Sequence, residues 1–258
     1  MRTDRPTVIG HRGLGRGVVD GHPQNTLGSF LAALDAGVSW VEVDVRRTAD
    51  DTLVVAHDPA YEDGTFLVDL TAEQVQARGT LLLSDLLAAL PEQAGVNLDL
   101  KTCMEDAVRP VERTTAALLA PVAQRELGRR PLWVSSFDPS ALTLVRESAP
   151  DVPLGLLTWH GYPTEHAVAA AAHLDVQVLA LQVGSLWPAP VAGTTSRPAP
   201  GPVRRPLHHV LSLLHRSGRQ LAVWCPRLSH ARKLVRAGAD ALIIDDVPRT
   251  APALHALG

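Results

Sequence analysis

Three carboxylates, two histidines, an arginine and a lysine stand at or beside the ends of short apolar runs. Together they could act on a phosphate ester with the help of a cation. Thr7-Val8-Ile9-Gly10 leads into His11-Arg12-Gly13. Trp40-Val41-Glu42-Val43-Asp44-Val45 carries two acids two positions apart, and Leu53-Val54-Val55-Ala56 leads into His57-Asp58. Val96-Asn97-Leu98-Asp99-Leu100-Lys101 alternates polar with apolar residues. Residues i and i+2 of a strand share a face, so Glu42 joins Asp44, and Asn97 joins Asp99 and Lys101. Acids inside apolar strands are costly to bury unless a cation accompanies them. Carboxylate oxygens select hard divalent ions. One Mg2+ or Ca2+, with Mn2+ the third option, held by Glu42, Asp44 and Asp99 would neutralise a phosphate oxygen. Arg12 supplies a planar fork and Lys101 a point charge for the same phosphate. His11 and His57 suit a general acid and a general base near neutral pH.

Blander readings compete at each position. Glu42 could pair with Arg46 or Arg47, Asp99 could pair with Lys101, and either histidine could be a core residue. Trp224 is balanced between a wall on which substrate stacks and a plug of the fold, while Trp159 reads as packing.

The elements that must position these groups alternate along the chain. Strands are expected at 7–10, 40–45, 95–100, 132–136, 153–158, 178–183, 220–224 and 241–244. Amphipathic helical stretches lie at 25–36, 83–90, 106–119, 139–147, 165–173, 207–217 and 229–237. Strand–helix alternation implies a parallel sheet. Eight units in 258 residues favour a closed (β/α)8 barrel, which typically takes about 250 residues. Active sites of such barrels lie at the C-terminal strand ends, where His11, Glu42, Asp44, Asp99 and Lys101 fall. No Gly-x-Gly-x-x-Gly follows the first strand, which argues against a dinucleotide fold; Gly13, Gly15 and Gly17 read as a flexible turn. A turn at 48–51 makes 42–48 and 53–57 an antiparallel hairpin in which facing positions sum to 101, so that Asp44 faces His57. Residues 58–82 have weak periodicity. Residues 184–206 contain six prolines and three glycines and read as a loop over the catalytic face. No linker divides the chain, so 1–258 reads as one domain.

Composition excludes several classes. A net charge of −3 gives no footprint for nucleic acid or an anionic membrane. Cys103 and Cys225, the two cysteines, make no disulfide framework. The N-terminus lacks the apolar core of a secretory signal, and no apolar run approaches the roughly 20 residues that span a bilayer. A cytoplasmic protein is the default reading, and the sequence carries no signal for oligomeric state.

The ordered series His11-Arg12-Gly13, Pro23-Gln24-Asn25-Thr26, Glu42-Val43-Asp44-Val45, His57-Asp58, Asn97-Leu98-Asp99-Leu100-Lys101, Ser135-Ser136-Phe137-Asp138 and Gly238-Ala239-Asp240-Ala241-Leu242-Ile243-Ile244-Asp245-Asp246 resembles the glycerophosphodiester phosphodiesterase family. The resemblance implies a (β/α)8 barrel related to phosphatidylinositol phospholipase C, with a small insertion after the second strand. It implies a divalent cation on Glu42, Asp44 and Asp99, His11 and His57 as the acid/base pair, and Arg12 and Lys101 on the phosphate. The substrate would be a small glycerophosphodiester, and the products glycerol 3-phosphate and an alcohol such as choline or ethanolamine. The chain departs from the family pattern at Gln24 and Asp99, where Glu is usual, at Asp245 in Ile-Ile-Asp-Asp, and after Trp224 in Trp-Cys-Pro-Arg. Asp99 is shorter than Glu by one methylene, so the ion must shift or a water must bridge. Two alternatives accompany this reading: a lysophospholipase D- or sphingomyelinase D-like activity on lipid phosphodiesters, with 184–206 as an apolar lid, and a phosphate-binding barrel without turnover.

Overall fold

A computed structural model describes residues 5–187 and 205–256. Eight parallel strands close on themselves: β1 (Thr7–His11), β2 (Trp40–Arg47), β3 (Gly95–Leu100), β4 (Leu132–Ser136), β5 (Leu154–Leu157), β6 (Val178–Gln182), β7 (Gln220–Trp224) and β8 (Ala241–Ile244). Each pairs with the next, and β1 closes the ring by pairing with both β2 and β8. Their near-continuous apolar runs follow from burial on both faces, as parallel sheets require. Helices cover the outside, so the architecture is the (β/α)8 barrel expected from the alternation.

Inside the barrel a small cluster of Ile9, Trp40, Trp133, Leu157, Val178, Ala180, Ala222, Ala241 and Ile243 fills the axis. Two indoles, Trp40 and Trp133, are its largest side chains. The neighbouring strands make room for them with glycine: a Cβ at Gly95 would collide with the Trp40 ring, and one at Gly155 with the Trp133 ring. The larger core lies between strands and helices.

Several local expectations are corrected. The helix expected at 106–119 runs instead from Thr115 to Leu127, preceded by two short 3-10 turns, Met104–Val108 and Val111–Arg113. Pro110 disfavours helix in the residue before it, and Thr114 caps the helix by accepting a hydrogen bond from the Ala117 N–H. A final helix, Val247–His255, was not anticipated; Asp246 caps it and Pro248 occupies its first turn. The aperiodic 58–82 segment is ordered on the rim of β2. It holds a helix, Ala72–Ala77, closed by a Thr71/Gln74 capping box, and a short strand, Leu81–Leu82, antiparallel to Leu53–Val55. This is the small insertion after the second strand.

The hairpin register differs by one. Val45 faces Val55, Arg46 faces Val54 and Arg47 faces Leu53, so facing positions sum to 100. The loop contains an extra residue: Thr48 N–H donates to the Thr52 carbonyl at 2.9 Å, and Asp51 adopts a left-handed φ of 66°. Three-residue hairpin loops use such a residue. Asp44 therefore faces Ala56, whose N–H donates to the Asp44 carbonyl at 3.1 Å. His57 lies beyond the strand, in a bend. The Gly13–Gly17 turn is not loose either. Leu14 donates to Ser29 Oγ at 3.0 Å, and Gly15 (φ 145°) lies so close to the Asp245 carbonyl that a Cβ could not fit. Of the expected 184–206 loop, Val183–Leu186 is a short helix and 188–204 lies outside the described residues. Among the described residues, no helix is long and apolar enough to cross a membrane.

Candidate active site

Strand register gathers the polar residues into one layer. His11 is level with Glu42, Glu42 with Asn97, and Asp44 with Asp99. Residues just past the strand ends complete the layer: Arg12 after β1, Lys101 after β3, Phe137 after β4 and Asp245 after β8. A cavity of about 70 Å³ opens here, lined by His11, Arg12, Glu42, His57, Asp99, Lys101 and Trp224 among others. Asp44 is fully buried beneath it. All eight residues singled out in the sequence thus meet in one place. A larger cavity of about 430 Å³ lies among residues at the opposite, N-terminal strand ends, between Trp40, Trp133 and Gln220, and holds none of them.

Glu42, Asp44 and Asp99 each bring a carboxylate oxygen within 4.8 Å of the others, and all three are buried. Lys101 Nζ approaches Asp44 Oδ1 at 2.9 Å and also pairs with Asp99. Arg12 Nε lies 3.1 Å from Asp44 Oδ2, and Asn25 Nδ2 donates to the same oxygen at 2.8 Å. Glu42 Oε2 accepts from the Arg12 N–H at 3.0 Å. The Lys101 and Arg12 contacts with Asp44 are ion pairs off the hydrogen-bonding direction, so Asp44 Oδ1 has no hydrogen-bond partner. Burial would raise Asp44, but Lys101 and Arg12 pull it down to about 2. Burial and the charge of Asp44 push Glu42 up to about 8. Burial carries Asp99 to about 6 against the opposing charge of Lys101.

Three buried acids thus share two cationic side chains, and one acid is forced toward its neutral form. Asp99 Oδ1 is buried with no hydrogen-bond partner. An all-oxygen donor set with an orphaned oxygen and one carboxyl more than the two cations neutralise fits a hard divalent cation, which would let the third acid ionise. The structural pairing of Asp99 with Lys101 coexists with this arrangement. The pairing of Glu42 with Arg46 or Arg47 does not occur. Arg46 donates from Nε and Nη2 to the His57 carbonyl at 2.9 and 2.7 Å, while Arg47 pairs with Asp106 at 2.8 Å.

The Arg46 contact holds the bend that returns the His57 ring to the cavity despite the shifted register. The two histidines occupy opposite electrostatic settings. His11 Nε2 is 3.7 Å from Glu42, and its Nδ1 is 2.5 Å from Asp245 Oδ1. Burial works against its charge, but Glu42 and Asp245 outweigh that and hold His11 well above the ordinary histidine value. His57 is lowered by burial and by the charge of Arg12, against the pull of Asp44; its Nδ1 lies 2.8 Å from Asp58.

The quoted motifs contained further contributors that sequence reasoning assigned no role. Asp245 reaches His11 across the barrel closure from 234 positions away. Asn25 takes a left-handed φ of 58° and ties Asp44 in place. Gln24 Oε1 accepts from Arg12 Nη1 at 3.0 Å and from the Gly17 N–H at 2.9 Å, so a neutral amide steadies the guanidinium. Trp224 meets Phe137 edge-on at 5.9 Å and lines the cavity, while the buried Trp133 is the plug. The packing role expected of Trp159 is corrected: it is 57% exposed and stacks on Phe137 at 4.6 Å, at the lip of the mouth.

The chain is similar to known proteins. A Schizosaccharomyces pombe glycerophosphocholine phosphodiesterase is 42% identical over 86 residues, 32% of this chain and 7% of that one. A Caldanaerobacter subterraneus glycerophosphodiester phosphodiesterase is 27% identical over 168 residues, 58% of this chain and 65% of that one. The matches therefore span less than two thirds of either relative. In fold, the chain superposes with a TM-score of 0.73 on an Oleispira antarctica phosphodiesterase solved with the product sn-glycerol-3-phosphate, at 22% identity and 97% coverage of both chains. The sequence model of the glycerophosphoryl diester phosphodiesterase family matches residues 11–249, from the first histidine of the site to past Asp245, and the chain belongs to that family.

Proposed function

We propose that this protein is a divalent-cation-dependent phosphodiesterase that cleaves small glycerophosphodiesters to glycerol 3-phosphate and an alcohol. The observation that carries the reading is the single layer in which three buried carboxylates, two cationic side chains and two oppositely perturbed histidines surround one cavity. Pairs of titratable groups pushed apart by their surroundings mark acid/base assignments. Glu42, Asp44 and Asp99 would hold the ion, which supplies charge neutralisation at a phosphate oxygen. Arg12 and Lys101, held in place by Asp44, bind the remaining phosphate charge, and Trp224 with Phe137 walls the carbon skeleton. A water attacks phosphorus and the bond to the alcohol breaks; where the neighbouring glycerol hydroxyl attacks instead, the alcohol leaves a cyclic phosphodiester that water opens to glycerol 3-phosphate in a second step. One of His11 and His57 takes the proton of the attacking oxygen, and the other returns a proton to the departing one. The name of the Schizosaccharomyces relative and the product bound by the Oleispira enzyme support this substrate class. Two unpaired thiols, Cys103 and Cys225, suit a reducing compartment, and the reading places a single-domain enzyme in the cytoplasm.

The test is hydrolysis of glycerophosphocholine by EDTA-treated protein, with Mg2+, Ca2+ or Mn2+ returned separately. Release of glycerol 3-phosphate on return of one ion is expected. A chain inert with every ion on soluble diesters would sink the proposal. One observation favours a lipid substrate as a second reading: Met104, Val108 and Val111 follow β3 and are 82%, 87% and 57% exposed. Micellar lysophospholipid cleaved faster than glycerophosphocholine would establish it. The lid once expected of 184–206 for that reading falls largely outside the described residues.

A further inference from the structure

His11 has two functional faces. Its Nε2 looks toward Glu42 and the cavity. Its Nδ1 looks away, onto Asp245 Oδ1 at 2.5 Å and Cys225 Sγ at 3.6 Å. One ligand atom each from His11, Cys225 and Asp245 lies within 4.8 Å of the other two. Imidazole nitrogen, thiolate and carboxylate are three of the donors zinc takes in four-coordinate sites, with water completing the set. Cys225 is fixed for this by its own N–H, which donates to the Ile243 carbonyl at 2.8 Å and pins the residue between the ends of β7 and β8.

We propose that His11, Cys225 and Asp245 form a second cation site, which takes a soft divalent ion such as zinc and thereby withdraws His11 from the reaction. The two sites sort ions by donor chemistry. Glu42, Asp44 and Asp99 offer oxygen alone, which suits Mg2+ or Ca2+, whereas a thiolate selects zinc and discriminates against both. The geometry needs little change. Zinc bonds of about 2.0–2.2 Å to nitrogen and oxygen put those two atoms about 3.3 Å apart in a tetrahedron. Asp245 must therefore withdraw by less than an ångström, and its side chain is 37% exposed, with room to do so.

The protons balance. The metal bond forms from the Nδ1 lone pair of His11 and from the thiolate of Cys225, while Asp245 enters ionised. The Nδ1 proton and the thiol proton leave to solvent, and no electron changes hands. The proton remaining on His11 is then on Nε2 of a neutral, metal-bound ring: that nitrogen has no lone pair with which to accept a proton, and its N–H is a far weaker acid than the imidazolium, so His11 serves neither as base nor as acid. Because protons are released, binding tightens as pH rises.

Cobalt(II) replaces zinc in such sites and reports thiolate ligation as a near-ultraviolet charge-transfer band. One equivalent of Co2+ added to Mg2+-saturated protein should produce that band in the wild type and in Cys103→Ser. The band should be absent from Cys225→Ser and Cys225→Ala, weaker in Asp245→Asn, and erased by one equivalent of Zn2+. A wild type without the band, or a band that follows Cys103, overturns the site. This readout needs no turnover, so it decides the site even where the proposed activity fails. The inhibitory half rests on that activity: with Mg2+ in excess, Zn2+ should inhibit the wild type, and Cys225→Ser should need about tenfold more. Equal zinc sensitivity of the two proteins overturns that half.

Discussion

Charge on single side chains dominates the residue scale. In the proposed reaction His11 and His57 each transfer a proton, a contribution of about 10²–10⁴-fold. His11→Ala and His57→Ala are each expected to lose turnover by that order while retaining the wild-type circular dichroism spectrum; turnover retained in both would refute the assignment. Their titrations should also separate. In EDTA-treated protein, ring-proton resonances of His57 should titrate below the ordinary value of about 6.5 and those of His11 above it. Coincident midpoints would show that Glu42, Asp245 and burial do not act as described. Sequence supplied the residue types and faces here. It did not supply Asp245 as the partner of His11, because a pairing across 234 residues exists only once the barrel closes.

The element scale is governed by how a loop corrects a register. A one-residue shift in a hairpin turns every side chain to the other face, and this hairpin is shifted relative to its expected pairing. His57 reaches the cavity because the chain bends after Val55 and Arg46 clamps the bend through the His57 carbonyl. Arg46→Ala is expected to lower kcat by about tenfold, the scale of a small misplacement of a catalytic group, with little change in melting temperature. A kcat equal to wild type would mean that the bend holds without the clamp. The turn chemistry was partly legible in the two aspartates after Ala49, but the left-handed Asp51 that adds a residue to the loop was not. The insertion was equally opaque, since its short helix and strand carry too few residues for a periodic signal.

Over the whole molecule, packing and electrostatics can be tested separately. Gly155 leaves room for the Trp133 ring in the barrel axis, so Gly155→Ala forces the indole to move. Overpacking of this kind costs about 1–3 kcal/mol, readable as a lower denaturation midpoint; an unchanged midpoint would show the axis to be loosely filled. The carboxylate layer predicts a pH effect of defined sign. Glu42 at about 8 and Asp99 at about 6 bind protons more tightly folded than unfolded, and so does His11. The ion-free protein therefore loses stability as pH rises from about 5 to about 8. Asp44, at about 2, acts with the opposite sign but only at lower pH, and the half-exposed His57 opposes weakly. Saturation with the preferred ion should restore stability most strongly at the upper end of that range, by about 2.7 kcal/mol at a hundredfold excess over Kd. Thermal melts with and without ion at the two pH values measure this, and melts that rise with pH in EDTA would contradict it.

Sequence by itself determined the barrel, the strand faces and eight of the residues that gather at the site, though not Asp245 or Asn25. Period-two alternation and strand–helix order are local properties, and the acids in Trp40–Arg47 and Gly95–Leu100 stand out against apolar neighbours. Tertiary structure alone decided which of those groups meet. The closure of β1 against β8 brought Asp245 and Cys225 to His11, inter-strand register set Asp44 level with Asp99, and a bend rather than a strand delivered His57. Those outcomes depend on register and ring closure, which are fixed by packing among distant segments and leave no trace in the spacing of neighbouring residues.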